Sequence, residues 1–265
     1  DDLSEEIKIL DNNQQWSSES LSTSSSISSG YFASMMVDDE IQIATILDDG
    51  LSSNLTLLTW NGTHTESEFI ALETDITTNF SLIKDAENTT ILATVSSSGL
   101  FVLYEKANES NTWNSNLLPQ PSGFANNGVK TSNYGNLTVV AINSENNSLF
   151  VKNNDVWNSI SNFPVSAGND FILLTNNSHI IIIAIDTEIN KLTWNSLEYK
   201  SDLELTNTWH TGSFSDIGST SQFSFDRTQD DSFYLTAKHP NSNAISRINL
   251  YLDQDSDFIF DEIDD

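Results

Sequence analysis

An apolar run with a small residue at its centre recurs through this chain at an almost even interval, and that recurrence constrains the fold more than any other feature. The copies are Ile41-Gln42-Ile43-Ala44-Thr45-Ile46, Thr90-Ile91-Leu92-Ala93-Thr94-Val95, Thr138-Val139-Val140-Ala141-Ile142, Ile181-Ile182-Ile183-Ala184-Ile185 and Phe233-Tyr234-Leu235-Thr236-Ala237. Counted along Ala44, Ala93, Ala141, Ala184 and Ala237, the intervals are 49, 48, 43 and 53 residues. A period of about 40 to 50 residues marks a repeated supersecondary unit that buries its faces by stacking on its neighbours.

The same order of segments surrounds each copy. A short β-run precedes it, at 32–37, 80–83, 128–131, 171–174 and 223–225. The link between the two is rich in Asp, Asn and Gly, as tight turns require. A third run follows at 55–60, 100–104, 149–152, 191–194 and 245–251, and then a weaker fourth, centred on Phe69, Trp113, Trp157 and Trp209 in the first four units. Four strands per unit joined by short polar turns is the pattern of a β-propeller blade. A β-sandwich array or a β-helix also alternates in this way, but the long four-strand period favours the propeller. The sequence thus predicts an all-β chain: a β-propeller over 1–252 with five four-stranded blades, or six if residues 6–10 are the remnant of another. The fifth unit lacks its fourth run. Residues 14–18 have the right character to supply it, so Trp16 is expected to complete the blade of residues 223–251 and close the ring, leaving no free sheet edge. The Ser-rich residues 20–29 read as a flexible connection into the first blade.

Ten basic residues stand against 38 acidic ones, a formal charge of −28. Such a surface repels phosphate backbones and anionic headgroups, which argues against nucleic acid and membrane-surface partners and for divalent cations. It also suits a saline setting. With no cysteine, disulfides, thiolate zinc sites and cysteine nucleophiles are excluded. No stretch reaches the roughly 20 apolar residues of a membrane span. The first residues lack the basic and apolar regions of a signal peptide. With no initiator Met, the chain reads as a mature product or part of a longer polypeptide, located outside the cell or at its surface. Acceptors for N-glycosylation occur at Asn54, Asn61, Asn79, Asn88, Asn108, Asn136, Asn146 and Asn176, a number that the Asn, Ser and Thr content alone would generate.

The most specific local signal is the aspartate run of residues 253–265. A calcium loop places carboxylates at positions 1, 3, 5, 9 and 12 and a carbonyl at position 7. Asp253, Asp255, Asp257, Asp261 and Asp264 fall on the carboxylate positions and Ile259 on the carbonyl position. Over these 13 residues the chain resembles the thrombospondin type 3 calcium repeats of secreted proteins. The resemblance implies calcium as a cofactor and a loop leading out of the domain. One departure is Phe258, which stands where such loops carry Gly for a sharp turn with positive φ.

Other chemistry is thinly represented. His64, His179, His210 and His239 fall in different units without metal-ligand spacing, and no nucleophile elbow, phosphate loop or His-Glu-x-x-His helix is present. Sialidase-type propellers carry arginine clamps and Asp-box turns; here Arg227 and Arg247 are the only arginines. Trp16, Trp113, Trp157 and Trp209 either stack on sugar rings or pack between blades. The reading that follows is a non-catalytic extracellular binding or structural module with a calcium-stabilised C-terminal junction, its partner a protein or a glycan. A carbohydrate-binding propeller or degenerate glycoside hydrolase is the alternative.

Overall fold

A strand that is apolar on both faces is stable only if both faces are covered, and the five recurring runs are of this kind. In a computed structural model of the chain, the described residues are 8–12, 16–20, 26–48, 50–72, 79–95, 100–118, 128–135, 137–142, 147–153, 156–161, 165, 171–175, 179–186, 188, 191–199, 205–218, 223–227, 233–238, 245–251 and 261–262. Among them there are 22 strands and no helix.

Strands β1 (Lys8–Asn12) and β2 (Trp16–Ser20) form an antiparallel hairpin. Sheet I contains β3 (Ser26–Val37), β4 (Glu40–Asp48), β5 (Ser53–Trp60) and β6 (Thr65–Leu72). Sheet II contains β7 (Phe80–Lys84), β8 (Thr90–Val95), β9 (Phe101–Lys106) and β10 (Asn114–Leu117). Sheet III contains β11 (Val129–Tyr134), β12 (Leu137–Ile142), β13 (Ser148–Asn153) and β14 (Val156–Ser161). Sheet IV contains β15 (Phe171–Thr175), β16 (His179–Asp186), β17 (Lys191–Tyr199) and β18 (Leu205–Gly218). Sheet V contains β19 (Phe223–Arg227), β20 (Phe233–Lys238), β21 (Ile245–Tyr251) and β22 (Asp261–Glu262). In every sheet the strands pair antiparallel in the order in which they occur along the chain.

The chain divides into two units. Residues 1–120 hold the hairpin and sheets I and II, and residues 121–265 hold sheets III to V. In the first unit, Ala44, Ile46, Leu55, Leu57 and Ile70 of sheet I form one core with Leu82, Leu92, Val102 and Tyr104 of sheet II. In the second, Val139, Ala141, Leu149 and Val151 of sheet III pack on Phe171, Ile180, Ile182 and Ala184 of sheet IV. The opposite face of sheet IV, with Ile181, Ile183 and Trp194, packs on Leu235 and Ala237 of sheet V. Burial on both faces is the reason that residues 180–185 are apolar without interruption: Ile180, Ile182 and Ile183 are each 0% exposed.

Local chemistry sets the turns. Asp38 and Asp39 have φ of 49° and 63°, so the β3–β4 connection has the two positive-φ residues of a type I′ hairpin turn. At the β7–β8 turn, Asp85 Oδ1 accepts from the backbone N–H of Glu87 and Thr89, which lets a carboxylate lie buried where the chain reverses.

Two expectations are corrected. The strand at Trp16 pairs with Lys8–Asn12, and the fourth strand against β21 is β22, at Asp261–Glu262. The physical reason is loop closure. Joining β2 to β1 closes three residues, 13–15, whereas joining it to 245–251 would close more than two hundred. Of the Ser-rich stretch 20–29, expected to be a flexible connection, Ser20 ends β2 and residues 26–29 begin β3, while residues 21–25 lie outside the described residues. A register shift between Ile27 and Phe32 lets β3 bend there.

Candidate functional site

Alternation along a strand sends every second side chain to the same face. Ala44, Leu57 and Ile70 mark the face of sheet I that meets sheet II. Gln42, Thr59, Glu66 and Glu68 share that face, because Gln42 lies two residues from Ala44, Thr59 two from Leu57, and Glu68 pairs directly with Leu57. Gln42, Thr59 and Glu66 form one cross-strand row beside the β3–β4 and β5–β6 turns. In sheet II the corresponding row is Lys84, Thr90 and Lys106. Trp113 immediately precedes β10, whose register of Asn114 with Glu105 sets Trp113 opposite Lys106. The interface between the two sheets is therefore apolar in its depth and polar at its turn end.

Glu68 joins the two sheets across this polar end. Its Oε2 accepts from Lys106 Nζ at 2.5 Å, and its Oε1 accepts from the indole N–H of Trp113 at 3.1 Å. Both carboxylate oxygens are thus used by donors from the neighbouring sheet, 38 and 45 residues away in sequence. The pair is only partly screened, with the Glu68 side chain 33% and the Lys106 side chain 24% exposed, and charge-assisted bonds of this kind orient as well as attract. They hold the Trp113 ring against the apolar core on one side while it stays half exposed. Gln42 Oε1, on the same face of sheet I, is buried with no hydrogen-bond partner. An acceptor in that state calls for a donor that the protein does not supply. Nearby, Asn61 Oδ1 accepts from Thr63 N and His64 N at 3.1 Å each, and His64 lies 3.3 Å from Glu66.

The other residues singled out from sequence fare unevenly. Trp157 is half-buried on β14 and pairs with Lys152, while Trp209 is half-buried against the core between sheets III and IV. Only the backbone of Trp16 is described. The packing alternative for Trp113 and Trp209 therefore holds in part: both pack between sheets and both keep an exposed surface. Of the aspartate run, Asp253, Asp255, Asp257, Ile259 and Asp264 lie outside the described residues, and the backbone of Asp261 pairs with Tyr251. Among the described residues no three His, Asp or Glu side chains gather as a metal site would require. The sequence reading missed Gln42, Glu68 and Lys106. A usable signal was the repetition of Trp-Asn-Ser at 113–115 and 157–159, each preceded by a lysine, Lys106 or Lys152, that ends in the same cross-strand position.

No protein-family model and no curated sequence matches the chain. Solved structures do. The NanB sialidase of Streptococcus pneumoniae superposes with a TM-score of 0.59 at 12% identity, over 90% of this chain and 61% of that one. The lectin of Aleuria aurantia, described as a six-bladed β-propeller with a novel mode of fucose recognition, gives 0.55 at 12% identity over 89% and 78%. AofleA of Arthrobotrys oligospora gives 0.56 at 11% identity over 83% and 67%. The chain spans less than two thirds of the sialidase. Likeness at such identity extends to the fold, and the fold of this chain is a β-propeller built of four-stranded antiparallel sheets.

Proposed function

We propose that the chain is a carbohydrate-binding propeller that acts without catalysis, with a sugar seated at the polar end of the interface between sheets I and II. The observation that carries this reading is Glu68 reaching across that interface to hold Lys106 and the indole of Trp113, beside the partnerless Oε1 of Gln42. A half-exposed aromatic face for the C–H side of a pyranose, flanked by hydrogen-bonding groups for its hydroxyls, is what a sugar site requires. The structural likeness to a lectin solved with α-methyl-L-fucoside and to a sialidase supports sugar binding over a purely structural surface module. The shortage of arginine argues against a sialidase-type clamp on a substrate carboxylate. Of the two arginines, Arg247 stacks its guanidinium 3.6 Å from the ring centre of Tyr234, so it serves a cation–π contact. An extracellular setting and a calcium-held aspartate segment complete the proposal. The test is calorimetric titration with a panel of mono- and oligosaccharides: binding by the native chain that is lost in Trp113→Ala supports it, and silence across the panel rejects it.

A further inference from the structure

We infer, resting on the sugar-binding reading, that this cleft selects uncharged, hydroxyl-rich sugars and rejects those that carry a carboxylate. Three observations point the same way. First, Lys106, the cation held beside the Trp113 indole, is already compensated: its Nζ lies 2.5 Å from Glu68 Oε2, and an incoming carboxylate would have to displace Glu68 or share the ammonium with it. Second, this row presents acceptor oxygens: those of Gln42 and of Glu66, the latter 3.3 Å from His64. Gln42 Oε1 is buried and partnerless, and Glu66 stands in the same row with its side chain 77% exposed. Hydroxyl groups can donate to such atoms, while a carboxylate brings only more acceptors. Third, the turns that frame this end of the cleft are acidic. The hairpins β3–β4, β7–β8 and β9–β10 each carry at least two carboxylates in or beside the turn and β5–β6 carries Glu66, against Lys84 and Lys106. With the chain at −28 overall, an anionic sugar meets repulsion on approach, which at physiological salt acts within about 8 Å of the surface.

The experiment is an array of matched glycans that differ only in having a hydroxymethyl or a carboxylate at the same ring carbon, read at low and high salt with the native chain and with Glu68→Gln. Neutral members are expected to bind at least about tenfold better than their acidic counterparts, with the gap narrowing as salt rises. Glu68→Gln leaves Lys106 uncompensated and is expected to close the gap at least about fivefold, a change of selectivity that loss of fold would not mimic. Equal or tighter binding of acidic members by the native chain, or a selectivity unmoved by Glu68→Gln, overturns the inference and leaves sugar binding standing. Failure of every glycan to bind overturns the sugar-binding reading itself.

Discussion

The indole of Trp194 covers the backbone of Gly212, its direct partner across β17 and β18, so closely that a Cβ built on Gly212 would lie 2.5 Å from Cε2 and 2.7 Å from Nε1 of that ring. Glycine is therefore required here by space: the conformation is ordinary, but any side chain would displace a tryptophan that belongs to the core between sheets IV and V. Gly212→Ala is expected to cost about 1–3 kcal/mol, as overpacking does. Urea unfolding followed by Trp fluorescence would measure it. Combining Gly212→Ala with Trp194→Leu should return part of the loss, and strict additivity of the two would show that the ring and the glycine are independent.

Cores buried on both faces predict a sharp contrast between positions. Ile182, 0% exposed between sheets III and IV, should lose about 2–5 kcal/mol on truncation to Ala. Leu117, on the outer strand of sheet II and 67% exposed, should change stability by no more than about 0.5 kcal/mol. Similar losses at the two positions would contradict the burial described.

At the polar cleft, binding and stability should separate. The Glu68–Lys106 pair is partly exposed, so Glu68→Ala should lower stability by only about 1 kcal/mol or less. The same change frees the Trp113 ring and should weaken the best glycan by at least about tenfold. A thermal melt and a calorimetric titration on the same preparation decide the matter, and a large stability loss with unchanged affinity would assign Glu68 to the fold alone.

The β3–β4 turn offers a gain. Asp38 and Asp39 adopt positive φ at some cost that Asn and Gly would reduce. Asp38→Asn with Asp39→Gly should therefore stabilise the first unit by about 0.5–1 kcal/mol, visible as a higher midpoint in denaturant.

Calcium is a separate matter from sugar. If the carboxylates of Asp253, Asp255, Asp257, Asp261 and Asp264 wrap one ion, calcium should evolve or absorb heat with the native chain and not with Asp255→Asn, Asp257→Asn. Identical heats for both proteins would leave that run without a metal role.

The strands were legible in the sequence and their faces were not. Residues 90–95 and 245–251 were located as they stand, because short apolar β-branched runs between Asp, Asn and Gly turns have few other ways to fold. The recurring alanines, however, do not mark one face. Ala44 points toward sheet II and Ala141 toward sheet IV, but Ala184 points back toward sheet III, into the same core as Ala141. In a strand apolar on both sides, a shift of one residue leaves the pattern unchanged, so periodicity places the strand without orienting it. The site was hidden for a different reason. Glu68 meets Lys106 and Trp113 only because two sheets stack, and no local spacing encodes a contact over about forty residues. The Trp16 expectation failed because it assumed a long closure where a local one was at hand.

Each sheet is a meander whose strands pair with their immediate predecessors, and this has a bearing on how the molecule is made. Every ladder needs only a short loop to close, so sheet I can assemble while sheet III is still being synthesised on the ribosome. Growth would then be vectorial within each unit, sheet I serving as the template for sheet II, and sheets III and IV for the sheets that pack on them. Sheet V would be the slowest to finish, since its last ladder, β21 with β22, closes over residues 252–260, the longest connection inside any of the five sheets.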